Sequence, residues 1–107
     1  MKKGDRFEKV KVEDILYVQA SGSYVDIHTR NGKYNISINL MNFSKQIPDP
    51  NLLRIHRSYT VNLNQIEAVE RARVFIQQIE IPIGNSYRSD LSSQLKFLRT
   101  GSSGDRP

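Results

Sequence analysis

Arg54, His56 and Arg57 fall within four residues of one another, and Ser58 and Tyr59 follow at once, in the run Leu53-Arg54-Ile55-His56-Arg57-Ser58-Tyr59-Thr60-Val61-Asn62. The chemistry of such a cluster is anion recognition. A guanidinium presents a planar fork of donors that clamps a phosphate or reads the edge of guanine. Apolar residues alternate on both sides, Leu53 and Ile55 before the cluster and Tyr59, Val61 and Leu63 after it. That pattern predicts two short strands flanking a basic corner. Arg57 sits at the corner and should project from it, whereas Arg54 is expected simply to line the outward face of a strand. The anionic partner best suited to such a corner is DNA.

Two further segments carry hydrogen-bonding chemistry. Ala20-Ser21-Gly22-Ser23-Tyr24 reads as a small polar loop ending in an aromatic hydroxyl, and Gly84-Asn85-Ser86 precedes a helix that carries Arg88. The start of that helix is expected to offer free backbone N–H groups to a phosphate. Each loop alone is ordinary; three polar loops on one small basic domain make a stronger case. Whether they share an edge is not legible from spacing.

Catalysis finds no such support. There is no Gly-x-Ser-x-Gly elbow and no phosphate-cradling glycine-rich loop ahead of a helix. Ser58 is a sequence neighbour of His56, with no sign of a group to orient the imidazole as a base. Asp26 and His28 share a strand face, but two ligands do not make a metal site, and a solvated face is the expectation. Cysteine is absent, which excludes disulfides, thiol catalysis and cysteine-based zinc sites. No enzyme activity, metal or cofactor is expected.

The elements that must position these loops are mostly strands. Phe7, Val10 and Val12 sit among charges and predict a strand with one wet face. Ile15-Leu16-Tyr17-Val18 is a continuous apolar run suited to a buried strand. Asn31-Gly32 predicts a two-residue hairpin turn, pairing Thr29 with Tyr34, Ile27 with Ile36 and Val25 with Ile38. Asn39 should cap a short helix with Leu40, Phe43 and Ile47 on its apolar face, ended by Pro48 and Pro50. Strands are expected at about 52–56, 59–63 and 66–71. Another hairpin should turn at Ala72-Arg73 into a strand over 74–83, where Pro82 marks an edge strand or its end. Tyr87, Leu91, Leu95 and Leu98 fall at helical spacing. The fold class is therefore mainly β, with antiparallel sheets and two short helices.

The chain has 107 residues, enough for one domain with a modest core. Sixteen Lys plus Arg against eleven Asp plus Glu give a net charge of +5, which favours nucleic acid or another anionic surface. No apolar run approaches the ~20 residues that span a bilayer, and the charged start Met1-Lys2-Lys3-Gly4-Asp5-Arg6 is not expected to act as a signal peptide. The expected location is the cytoplasm, with no membrane contact. Residues 1–100 are expected to form the domain, and 101–107, without apolar content, a disordered tail.

These motifs resemble the LytTR DNA-binding domain of bacterial transcription regulators. The resemblance rests on Val12-Glu13-Asp14-Ile15-Leu16-Tyr17-Val18-Gln19-Ala20, Ser23-Tyr24-Val25, the Asn31-Gly32 hairpin, the His-Arg-Ser-Tyr-x-Val-Asn string of 56–62, Ile66, Ile81-Pro82-Ile83 and the helix carrying Tyr87. It implies loops, not a recognition helix, inserted into successive major grooves, with binding at paired direct repeats and bending of the DNA. By position it assigns base contacts to Tyr24, Arg57, Asn85 and Ser86, with Ser23, His56 and Arg88 supporting them or holding phosphates. The family often has Ser-Arg where this chain has Gly84-Asn85-Ser86, so Asn85 or Arg88 is expected to substitute; an asparagine suits adenine better than guanine.

The resemblance also implies an upstream receiver or membrane sensor domain of a two-component response regulator, and a possible homodimer on DNA. The chain supplies no acidic phosphoacceptor pocket. It is expected to be an excised output domain, or else a stand-alone regulator, with the tail favouring excision. Two rivals remain: a β-rich protein-interaction module docking an acidic partner, and a single-strand binder. The second normally needs exposed aromatics for base stacking, whereas Phe7, Phe43, Phe75 and Phe97 fit core positions.

Overall fold

The structure is a computed structural model that describes residues 9–95, together with the backbone pairing of two short strands, β1 (Lys2–Lys3) and β2 (Arg6–Phe7). The central layer holds β3 (Ile15–Ser21), β4 (Tyr24–Thr29), β5 (Gly32–Ile36), β6 (Leu52–His56) and β7 (Tyr59–Asn62). These form a five-stranded antiparallel sheet in the order β5-β4-β3-β7-β6. A second, three-stranded sheet holds β8 (Ala68–Val69), β9 (Arg73–Ile76) and β10 (Ile79–Pro82), with β9 in the middle. Two short helices complete the described fold, α1 (Leu40–Gln46) and α2 (Arg88–Gln94). The expected mainly β, antiparallel architecture with two short helices is what the chain adopts.

The continuous apolar run is explained by β3 lying between two cores. A bulge between Ile15 and Tyr17 breaks the alternation. Ile15 and Val18 consequently enter one core with Val25, Ile27 and the α1 residues Leu40 and Phe43. Leu16 and Tyr17 enter the other, with Ile55 and Val61 of β6 and β7, Val74, Ile76 and Ile81 of the second sheet, and Leu91 of α2. Both faces of the strand are therefore buried. Burying each such side chain stabilises the fold by roughly 1.5–3 kcal/mol, which fixes the register of the sheet. Helix α1 is capped as expected, the Asn39 side chain accepting the Asn42 N–H at 2.8 Å.

Several expected boundaries differ. The first hairpin turns at Arg30-Asn31, pairing Thr29 with Gly32, Ile27 with Tyr34 and Val25 with Ile36. The shift is two residues, so the faces are preserved and only the partners change. The reason is Thr29, whose Oγ1 accepts the N–H groups of Asn31 and Gly32 at 3.1 Å each and donates to the Gly32 carbonyl at 2.8 Å. Gly32 then leaves the turn at φ 151°, a conformation suited to glycine.

The expected strand over 74–83 is two strands, turning at Gln77-Gln78 with φ of 50° and 70°. Pro82 does close β10, an edge strand. Of the strand expected from Phe7 to Val12, Phe7 ends β2, residues 9–11 are not strand and Val12–Asp14 form a 3-10 turn, while Glu8 lies outside the described residues. Of 66–71 only Ala68–Val69 pair, after a 3-10 turn at Leu63–Gln65. Phe43 is buried, but Phe75 is half-buried on the outer face of the second sheet, 6.0 Å beneath the Arg73 guanidinium. Leu98, the side chains of Phe7 and Phe97, and the expected tail over 101–107 lie outside the described residues.

Candidate nucleic-acid interface

The basic corner is the turn between β6 and β7. A second bulge, between Arg54 and His56, directs Ile55 fully into the core and leaves its neighbours outside. Arg54 does more than line the strand. Its Nε donates to the His56 carbonyl at 3.0 Å and its Nη2 to the Arg57 carbonyl at 2.6 Å. One guanidinium thus grips both carbonyls of the turn, the fork geometry a point charge lacks.

His56 faces inward as well. Its Nδ1 accepts the Ser58 N–H at 3.0 Å, and its ring meets Tyr59 edge-on with centroids 5.6 Å apart. The Tyr59 hydroxyl accepts from Gln19 Nε2 at 3.2 Å. Asn62, buried at the far end of the run, donates to the carbonyls of Val12 and Ile15. Arg57 is exposed, and among the described residues nothing pairs with its guanidinium. Of the basic run, this side chain is the one left to the solvent.

The three loops meet at one rim. The Ala20 N–H donates to the Ser58 carbonyl at 2.8 Å, so the β3–β4 turn lies beside the β6–β7 turn. Gly22 supports the first turn at φ 64°, and Tyr24 opens β4 with 46% of its surface exposed. On the other side, the Gly84 N–H donates to the Ile55 carbonyl at 2.8 Å. A Cβ on Gly84 would lie 3.0 Å from Tyr87 Cδ2 and 3.7 Å from the His56 Cα, so glycine permits this approach. Ser23, Tyr24, Arg57, Asn85 and Ser86 are all exposed, while His56 is half-buried.

The third loop differs from expectation in one respect. Asn85–Tyr87 form a 3-10 turn, and the N–H groups of Tyr87 and Arg88 are spent on the Gly84 and Asn85 carbonyls. Helix α2 is only seven residues long and has no side-chain cap. It therefore does not supply the row of free N–H groups expected of it. Side chains take over: Arg88 Nη2 donates to Asn85 Oδ1 at 3.2 Å, joining the two candidates for this position. Asp90, also exposed, is the acid nearest to them in sequence.

Asp26 and His28 are engaged in separate contacts. Asp26 Oδ1 accepts from Asn35 Nδ2 at 2.8 Å, while His28 stacks on Tyr17 with centroids 4.2 Å apart. Burial holds the His28 pKa below its ordinary value; Asp26 opposes the shift and Lys33 adds to it. Burial likewise raises the Tyr17 pKa, with Tyr59 and Asp26 adding to the effect. Among the described residues no three His, Cys, Asp or Glu side chains converge. Sequence reasoning missed the part played by Arg54 and Gln19 in holding the corner. Alternation of apolar residues carries no signal for either, since both act through groups brought close only by the bulge and the β3–β7 pairing.

Comparison with known proteins gives a consistent result. The profile of the LytTr DNA-binding domain matches residues 5–96. The chain is 26% identical over 98 residues to the sensory transduction protein LytT of Bacillus subtilis, covering 86% of this chain and 41% of that protein. It is 32% identical over 68 residues to the transcriptional regulatory protein YpdB of Escherichia coli K12, covering 64% of this chain and 28% of YpdB. The chain thus spans less than half the length of either relative. A solved LytTr DNA-binding domain from Bacillus cereus superposes with a TM-score of 0.75 at 22% identity, covering 90% of this chain and 94% of that one, and so shares the fold.

Proposed function

The chain belongs to the LytTr DNA-binding domain family, and from that premise we propose that its cationic rim binds double-stranded DNA sequence-specifically in the regulation of transcription. The observation that carries this is the pair of backbone hydrogen bonds, Ala20 to Ser58 and Gly84 to Ile55, which set three polar loops side by side around Arg57. A rigid rim of this kind meets a duplex at several points at once.

In this reading Tyr24, Arg57, Asn85 and Ser86 contact base edges in successive major grooves, and Ser23, His56 and Arg88 support them or hold phosphates. The phosphate contacts fix position and make affinity salt-dependent, while base contacts set sequence. The Arg57 fork suits guanine. At the third loop the Asn85–Arg88 pair acts as a unit, its amide still able to address adenine. Bending brings the outer loops into reach and adds selectivity through the deformability of the site.

The DNA-binding module comprises residues 1–100. It fills one of two direct repeats, a second copy meeting it on the DNA. The rest of the regulator supplies a receiver or sensor domain, and the whole acts in the cytoplasm. Among the described residues no helix is long and apolar enough to cross a membrane.

Selection from a random duplex library at moderate salt tests the proposal. The expected result is a pair of similar short elements about one helical turn apart, bound at least ~10³-fold more tightly than scrambled duplex. Equal binding of selected and scrambled DNA would remove the reading and leave the rival, a module docking an acidic protein.

A further inference from the structure

We propose that the turn between β8 and β9, residues 70–72, is a fourth DNA-contacting element in which Arg71 binds a backbone phosphate beyond the 84–86 loop. The proposal rests on the DNA-binding reading above and extends it to a segment outside the three loops already described.

Two backbone hydrogen bonds place the turn. The Ile83 N–H donates to the Ala72 carbonyl at 2.9 Å, and the next residue, Gly84, donates to Ile55 at 2.8 Å. The second sheet is thereby joined to the central sheet at the rim, with its 70–72 end beside the third loop. Its other end, Gln77-Gln78, lies at the opposite tip of the β9–β10 hairpin. The rim therefore runs in the order 21–23, 57–58, 84–86, 70–72. Hydrogen-bonded neighbours lie about 5 Å apart, so the turn extends the line of contact without leaving it.

Charge singles out Arg71 within this turn. Glu70, Arg71 and Ala72 are all exposed. Arg73 is committed elsewhere, its Nε to Glu70 Oε1 and its Nη1 to Glu80 Oε1, each at 2.9 Å. That arrangement draws the Glu70 carboxylate toward Arg73 and pins the turn, which also holds the Glu70 N–H on the Arg73 carbonyl at 2.8 Å. Arg71 at the apex has no partner among the described residues. An exposed guanidinium on a braced turn is suited to a phosphate, which asks for charge and donors and for no particular base. Glu67 and Glu80 are exposed on the same sheet, so Arg71 must reach past an otherwise acidic surface, and its contact is confined to the rim end.

The test compares Arg71→Gln with two other variants on the selected duplex. For Arg71→Gln the slope of log K against log salt is expected to fall by about 0.9, one phosphate contact. The hydroxyl-radical footprint is expected to lose its outermost protection at one end only, with discrimination between selected and scrambled duplex kept. Arg30→Gln is the control, because Arg30 lies in the β4–β5 turn at the opposite end of the central sheet, 3.9 Å from Asp14. It should leave slope and footprint unchanged.

Arg57→Ala monitors the underlying reading. If it lowers discrimination while Arg71→Gln keeps the wild-type slope and footprint, the fourth contact is wrong and the reading stands. If both Arg71→Gln and Arg30→Gln lower the slope equally, the effect is net charge alone and the proposal is again overturned. If the unaltered protein does not discriminate at all, the reading itself has failed. Arg71 makes no described contact, so its variant is expected to unfold at the wild-type urea concentration.

Discussion

Replacing Arg54 with lysine separates positioning from charge. The guanidinium spans the carbonyls of His56 and Arg57 with bonds of 3.0 and 2.6 Å. Lysine keeps the positive charge but offers a point donor, which can hold one carbonyl and not both. A hydrogen bond from a charged group contributes about 1.5–3 kcal/mol. Arg54 is half-buried, and water competes for the freed carbonyl, so the low end of that range applies. A loss of about 1.5 kcal/mol in holding the corner corresponds to roughly tenfold in affinity.

That loss should fall on the selected duplex alone, because only base reading requires Arg57 to keep its geometry. Random duplex, held through phosphates, should bind within about twofold of wild type, since no charge is lost. Fluorescence anisotropy on both duplexes at fixed salt measures the difference. Amide hydrogen exchange adds an independent readout: the Ser58 N–H, bonded to His56 Nδ1, should exchange faster in the variant. Equal losses on both duplexes would mean that Arg54 touches phosphate, and no loss on either would mean that the clamp is idle.

Three other perturbations have calculable outcomes. Arg57→Ala should cost about 1–3 kcal/mol on the selected site and relax preference at one base pair; an equal loss on scrambled DNA would make it a phosphate contact. His28→Gln should change the pH dependence of stability. Burial depresses the folded pKa of His28, so the unfolded chain binds the proton more readily. The wild-type urea midpoint should therefore fall as pH drops below about 6.5, the ordinary histidine value, and that component should vanish in the variant; identical pH profiles would refute it. The turn at Gln77-Gln78 holds two side chains at φ of 50° and 70°. Asn-Gly in their place should stabilise the protein by about 1 kcal/mol with DNA binding unaltered, and an unchanged or lower urea midpoint would count against the strain.

The strands were legible wherever one physical signal governed them. The boundaries of β6, β7 and α1 follow from alternation, caps and prolines. Errors arose where a side chain replaced the expected backbone signal. The Thr29 hydroxyl drew the first hairpin turn one residue earlier than Asn31-Gly32 suggested. Gln77-Gln78 has no turn composition, and the hairpin there was betrayed only by parity: the buried positions change from Val74 and Ile76 to Ile81 and Ile83. A strand cannot bury even and odd positions on one face without a turn or a bulge between them. At the site, the exposure of Arg57 was legible because a charged residue between two apolar alternations has no core to enter. The rim was not, because it depends on hydrogen bonds between residues far apart in the chain.

The basic run shows why a sequence signature and a binding surface are different things. From Leu53 to Asn62, Ile55 and Val61 fill the core, Asn62 ties β7 to the start of β3, and His56 and Tyr59 brace the turn. Arg54, a cation, is turned back on the backbone. Most of the charge and polarity in the run therefore serves to hold one residue, Arg57, at a fixed place. Substitutions at the braces loosen the corner, whereas a substitution at Arg57 alters only the exposed side chain and leaves the hydrogen bonds of the corner in place. The same division holds at the third loop, where Gly84 permits the close approach and Asn85 with Arg88 faces outward. A scaffold built in this way can exchange its exposed tips at little cost in stability, which under the proposed function makes the loop tips the place where sequence preference is set.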